Sequence, residues 1–131
     1  MTGTQFKNGK HNIEKWNDVF EVLTAEPRRQ LIVSLLDTEG AVPLPESAVN
    51  PNAPADSEAL KVELYHRHLP LLADREFVEW KTDPLVVERG PRFEEVAAVF
   101  EALHTSTGRI PDSLVVGCQR LEQERHLSTG D

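Results

Sequence analysis

Residues 60–89 constrain this chain more than any other stretch. Val62, Tyr65, Leu69 and Leu72 are three, four and three apart, so they share one helical face. Phe77, Val78 and Trp80 then begin a strand, Thr82, Asp83 and Pro84 turn it, and Leu85, Val86 and Val87 return. The pattern predicts a helix that runs directly into a two-stranded hairpin. Pro70 falls inside the helical pattern and removes one backbone hydrogen bond, so a kink is expected there. Leu60, Leu64 and Leu71 form a second apolar stripe, opposite the first. A helix apolar on two sides is either sandwiched in a core or presents an interface.

The flanking segments read as further helices around this unit. Residues 1–12 are polar and are expected to be flexible. A first helix is predicted to start between Ile13 and Asn17, carrying Val19, Phe20 and Leu23 inward. Thr24 suits the N-cap of a second helix, with Pro27 in its first turn and Leu31, Ile32, Leu35 and Leu36 as its buried stripe. Gly40 stands where such a helix ends. Residues 41–55 hold Pro43, Pro45, Pro51 and Pro54, so at most one helical turn fits there, around Glu46 to Val49. Asp56 or Ser57 can cap the next helix.

After the hairpin, Gly90 and Pro91 precede Phe93, Val96, Ala97, Phe100 and Leu103, an amphipathic helix over residues 92–104. Residues 105–109 read as a loop. Residues 111–126 suit a last helix with Leu114, Cys118 and Leu121 on one face, while Leu114 to Val116 equally suits a short strand. The organisation expected is a flexible segment over 1–12, a folded domain over 13–104, and an extension over 105–131 that ends in a frayed tail. The class is mainly α with a small β hairpin.

Length and composition fit one globular domain: 131 residues, 39% of them apolar. Twenty-two acidic against 14 basic residues leave a net charge of −8, and only five of the basic residues are lysine. An acidic, lysine-poor surface suits a salt-rich cytoplasm, where hydrated carboxylates keep a protein soluble. The charge argues against indiscriminate nucleic-acid binding, because such proteins usually carry a basic face. At molar salt the Debye length falls to ~3 Å, and net charge alone then excludes little. A single cysteine, Cys118, excludes an internal disulfide and suits a reducing compartment. No apolar run approaches the ~20 residues of a membrane span, and no signal-peptide pattern opens the chain. A soluble, cytoplasmic protein is expected.

Chemistry-bearing patterns are sparse. His66 and His68 point about 200° apart on a helix and cannot share a metal ion. His11, His104 and His126 are scattered, and no Cys/His cluster has zinc spacing. There is no phosphate-binding glycine loop, no nucleophile elbow and no His-Glu-x-x-His. Paired carboxylates such as Glu94 and Glu95 read as a solvated face. No catalytic residue, cofactor or metal is expected.

A helix leading into a hairpin is the second half of a winged helix. His68-Leu69, Leu72 and Phe77-Val78 resemble the signature that ends the recognition helix and opens the wing in ArsR-like winged helix-turn-helix regulators. With residues 18–23 and Pro27-Arg28-Arg29, the run is similar to small haloarchaeal winged-helix proteins of mostly unassigned function. The resemblance spans roughly residues 17–104 and implies a winged helix in which the helix after the wing pairs across a dimer axis. Relatives commonly place glycine where this chain has Glu76, so a strained turn is implied if φ there is positive. The proline-rich segment departs from the family, which has a positioning helix at that place.

The expectation is therefore a dimeric regulator binding duplex DNA. Lys61, His66 and Arg67 are the candidates for the major groove, and Lys81 and Arg89 for phosphates. Phe93, Val96, Ala97, Phe100 and Leu103 are the candidates for the dimer contact. Arg28 and Arg29 are expected to meet phosphates or pair with Glu26. The alternative is a winged-helix module that binds protein through an exposed Leu60 and Leu64 stripe.

Overall fold

The computed structural model describes residues 2–49 and 56–115, and the side chains of residues 12–49 and 56–114 among them. The architecture is mainly helical with a small antiparallel sheet. Helix α1 spans Thr2–Leu23 and α2 spans Glu26–Asp37. Strand β1 (Val42–Pro43) and a 3-10 turn (Glu46–Ala48) come after them. A continuous helical rod is next, formed by α3 (Ser57–Glu63), a π turn (Leu64–His68) and α4 (Leu69–Asp74). Strands β2 (Val78–Lys81) and β3 (Val86–Arg89) form the hairpin, and α5 (Phe93–Thr105) follows it and packs against α1 and α2. A 3-10 turn (Thr107–Arg109) and the short α6 (Asp112–Val115) complete the described chain. No helix among the described residues is long and apolar enough to cross a membrane.

The sheet has the order β1-β3-β2. Trp80 faces Val87 and Lys81 faces Val86 in the hairpin, while Val42 faces Val87 across β1. Two backbone features set the hairpin's entry and exit. Glu76 takes φ +64, in the left-handed region that favours glycine, which is the condition under which a strained turn was expected. Its carbonyl accepts the Arg92 amide at 2.8 Å, locking the two ends of the hairpin together. Gly90 closes the same crossing. A Cβ there would lie 2.5 Å from the Glu76 oxygen and 2.8 Å from the Val78 nitrogen, so no other residue fits.

The core lies between α1, α2, the rod, the sheet and α5. Val22, Leu31, Ile32, Leu35, Leu64, Leu69, Leu72, Phe77, Val87 and Val96 are fully shielded. Polar ties fix the outer layers. Asp18 of α1 meets Arg75 at 3.5 Å and Arg92 at 3.3 Å, and Arg92 meets Glu95 at 2.9 Å. The Arg92 guanidinium holds the Glu95 carboxyl below its ordinary range, and Glu95 in turn raises Arg92. Lys15 adds a contact to Glu95 at 3.6 Å.

Several local expectations match. These are the hairpin, the post-hairpin helix, and Asp56 as an N-cap, accepting from the Glu58 and Ala59 amides. Over its described residues, 41–49, the proline-rich segment holds strand β1 and one 3-10 turn, the turn held to α2 by the Ser34 hydroxyl donating to the Ser47 carbonyl at 2.8 Å. Residues 50–55 lie outside the described residues.

Others are corrected. Helix α1 begins at Thr2 rather than near Ile13. Phe20 faces outward at 55% exposure, stacked on Trp16, and Val22 takes the inward place. Thr24 does not cap α2. Its hydroxyl donates to the Glu21 carbonyl and so closes α1. In the rod the two apolar stripes are mixed, since Leu60 and Leu64 join Leu69 and Leu72 in the core while Val62 is 56% exposed. Residues 107–109 form a turn rather than a plain loop, and Leu114 lies in a helix but is exposed. The continuation through Cys118, Leu121 and His126 lies outside the described residues.

Candidate nucleic-acid interface

Pro70 shapes this surface. Its ring cannot donate a hydrogen bond and would strike the carbonyl four residues before it. The rod resolves this by widening one turn, with the Leu69 amide reaching back five residues to Leu64. The expected kink is therefore a π turn. An extra residue in the turn rotates the rest of the rod, so His68 and Leu69 both face the core, at 3% and 0% exposure. His66 and Arg67 are left on the outer side.

The outer face of the rod carries Glu58, Val62, Glu63, His66 and Arg67 in solvent, with Lys61 half-buried. Arg67 lies 3.7 Å from Glu63, an exposed pair one helical turn apart that adds little stability. Tyr65 packs edge-on against Trp80, ring centres 5.8 Å apart. This contact sets the rod beside the hairpin, so the edge bearing Lys61 and the tip bearing Lys81 belong to neighbouring surfaces. Lys81 is exposed, and Glu79 and Glu88 flank it on the sheet. A hollow of about 220 Å³ lies there, lined by Trp80, Lys81, Val86 and Glu88 among others.

All five residues expected at DNA stand in exposed or half-exposed places, but one of them, Arg89, is tied to backbone carbonyls. Arg89 is engaged at the end of α2. Its guanidinium donates to the Leu35 carbonyl at 2.7 and 3.1 Å and to Thr38 at 3.4 Å, and lies 5.0 Å above the Phe93 ring. A cation at a helix C-terminus satisfies orphan carbonyls and suits the dipole. Arg28 and Arg29 are also tied to backbone, and the burial of Arg28 removes it from any phosphate contact. Arg29 donates to the Leu23 carbonyl, and Arg28 is only 2% exposed.

Arg28 forms a buried joint. It donates to the carbonyls of Val22 (3.3 Å) and Glu21 (2.8 Å) and to the Thr24 hydroxyl (2.7 Å), closing α1. Its remaining nitrogen lies 2.9 Å from His68 Nδ1. Burial, and then the neighbouring Arg28, push the His68 pKa below its ordinary value. Burial also lowers Arg28.

The expected dimer contact is also corrected. Phe93, Val96, Ala97 and Phe100 are 0–4% exposed and fill the chain's own core, so only Leu103, at 42%, reaches solvent. The Leu60 and Leu64 stripe offered for the protein-binding alternative is likewise internal.

A different apolar surface stands on α1. Ile13, Trp16 and Phe20 are 63%, 51% and 55% exposed along one face. Their spacing of three and four is a helical signal in the sequence, but Val19 and Leu23 supply an inward stripe that overshadows Ile13 and Trp16. A hollow of about 310 Å³ between this face and α5 is lined by Trp16, Val19, Val99, Lys15 and Glu95. Among the described residues no group of three or more His, Cys, Asp or Glu side chains is placed to hold a metal ion. No family model, curated protein or solved structure matches the chain.

Proposed function

We propose that this chain is a small DNA-binding regulator of the winged-helix type that acts as a dimer. The observation that carries the reading is the Tyr65–Trp80 contact, which sets the exposed edge of an amphipathic rod beside the exposed tip of a hairpin. The order of elements from α2 through β1, the rod, β2 and β3 supports it, as does the resemblance of His68-Leu69 and Phe77-Val78 to ArsR-like regulators. In this reading the rod enters the major groove. Lys61, His66 and Arg67 face base edges and phosphates, and Lys81 on the hairpin meets the backbone. Arg89 takes no part.

The dimer contact in this reading moves from α5 to the outer face of α1, where Ile13, Trp16 and Phe20 are exposed and Trp16 lines the hollow beside α5. Two copies are what a helix-turn-helix protein needs to span two half-sites. The acidic neighbours Glu58, Glu63, Glu79 and Glu88 keep the number of phosphate contacts small, so the salt dependence is shallow, with a slope of about −0.9 per contact.

Fluorescence polarisation of a labelled duplex pool, titrated across potassium chloride, tests the reading. Salt-dependent binding that weakens roughly tenfold in Arg67→Ala, with a slope lower by about one in Lys81→Ala, is expected. No binding to any duplex at moderate salt overturns it. Light scattering on Trp16→Glu with Phe20→Glu is expected to turn a dimer into a monomer. A second reading, a protein-interaction module, is favoured by that α1 face alone; a monomer that binds no duplex selects it.

A further inference from the structure

The joint between Arg28 and His68 does more than hold the core. A guanidinium only donates hydrogen bonds, so His68 Nδ1, 2.9 Å from Arg28, must accept. The proton of the neutral ring therefore sits on Nε2. A second proton on Nδ1 would point one N–H at another and set two buried cations side by side. Arg28 cannot yield, because it stays charged and is pinned by Glu21, Val22 and Thr24. His68 is the partner that must move.

We propose that protonation of His68 unseats the π turn from α1 and α2, giving the rod a mild-acid switch. The charged groups around the joint favour this outcome. From α2, Arg28 and Arg29 repel a charged ring or each other, from the rod Arg67 does so, and Arg75 adds to the cationic field. Glu21 of α1 acts on the Arg28 side. Glu63 is the carboxylate that favours a charged His68, but its oxygen is 4.0 Å from Nε2 and its side chain is 53% exposed, so water screens it. Burial adds to the repulsion, in line with the lowered pKa.

The sign comes from linkage. A depressed folded-state pKa means that the stabilisation is complete above the unfolded value of 6.5 and is lost as pH falls toward the folded value. The π turn is where the loss appears, because Leu64, Leu69 and Leu72 keep their core places only while His68 stays inward. The switch stands by itself; its bearing on duplex binding rests on the proposed function.

Amide hydrogen exchange and ring titration by NMR on the intact chain, from about pH 7.5 to about pH 5, test it. Normalised to the intrinsic base-catalysed rate, which itself slows as pH falls, exchange over Tyr65–Leu72 is expected to rise by up to roughly tenfold per pH unit, the limit for one linked proton. In His68→Gln, whose amide oxygen accepts from Arg28 at any pH, the normalised exchange over that span is expected to stay flat. Equal pH dependence in both chains overturns the proposal. So does a His68 titration midpoint in the wild type at or above the ordinary value of 6.5, a measurement that needs no variant. If the switch appears and no duplex binds, the inference survives and the regulator reading falls.

Discussion

Arg28 and Arg67 stand on either side of the same π turn and live in opposite environments. Arg28 is 2% exposed and bonds to Glu21, Val22, Thr24 and His68, while the Arg67 side chain is 66% exposed with one loose neighbour, Glu63. The contrast extends across the molecule. Arg89, although exposed, and the half-buried Arg92 are tied to helix-end carbonyls and to Asp18 and Glu95, whereas Lys81 stands exposed at the hairpin tip. One chemical group thus serves two ends. Where helix ends converge it terminates α1 and α2, and where the rod and hairpin face solvent it is available to a ligand.

The sharpest way to break this comparison is Arg28→Met. The substitution strands the carbonyls of Glu21 and Val22 and the ring of His68, so about 3 kcal/mol of stability should be lost, lowering Tm by ~10 °C. A wild-type melt would dissolve the distinction. Arg89→Ala is expected to cost less, about 1–2 kcal/mol in urea unfolding, because its carbonyl partners lie nearer to water.

Arg92→Ala adds a pH signature to the tied class. Because Glu95 is held below its ordinary pKa, chiefly by Arg92, its stabilisation is present above the ordinary carboxyl value of 4.5 and fades as pH falls through the depressed one. The variant should therefore lose about 1 kcal/mol near neutrality, discounted for partial exposure, and converge on the wild type in acid. The smallest effects belong to the outward class. Arg67→Ala and Lys81→Ala should melt within about 0.5 kcal/mol of the parent, as expected of exposed side chains, even where duplex binding weakens. A large stability loss in either would show that these cations hold the fold as well.

How much was legible depends on how far each signal travels along the chain. The hairpin was readable because Phe77 to Trp80, the Thr82–Pro84 turn and Leu85 to Val87 are contiguous. The helix after it was readable because Phe93, Val96, Ala97 and Phe100 repeat at helical spacing with few interruptions. The choice of the Val62 face over the Leu64 face failed for a different reason. A uniform helix puts Val62, Tyr65, Leu69 and Leu72 together, but the π turn imposed at Pro70 inserts a residue, and the buried line becomes Leu60, Leu64, Leu69 and Leu72. Pro70 announced a disturbance without saying whether the rod would bend or widen. Phe20 misled because an aromatic residue near a buried valine reads as core, whereas here it stacks on Trp16 in solvent.

Local spacing and turn chemistry, acting between near neighbours, were enough to determine the order of helix, hairpin and helix over residues 57–105, the proline-interrupted segment before it and the absence of a membrane-length helix among the described residues, but not strand β1, whose partner β3 lies far along the chain. Tertiary packing alone decided which arginines are tied down, which face of α1 is left bare, and that α5 spends its apolar side on its own core. The physical reason is separation. Arg28 and His68 are 40 residues apart and Arg89 and Leu35 are 54 apart, so only the folded chain brings each donor to its acceptor.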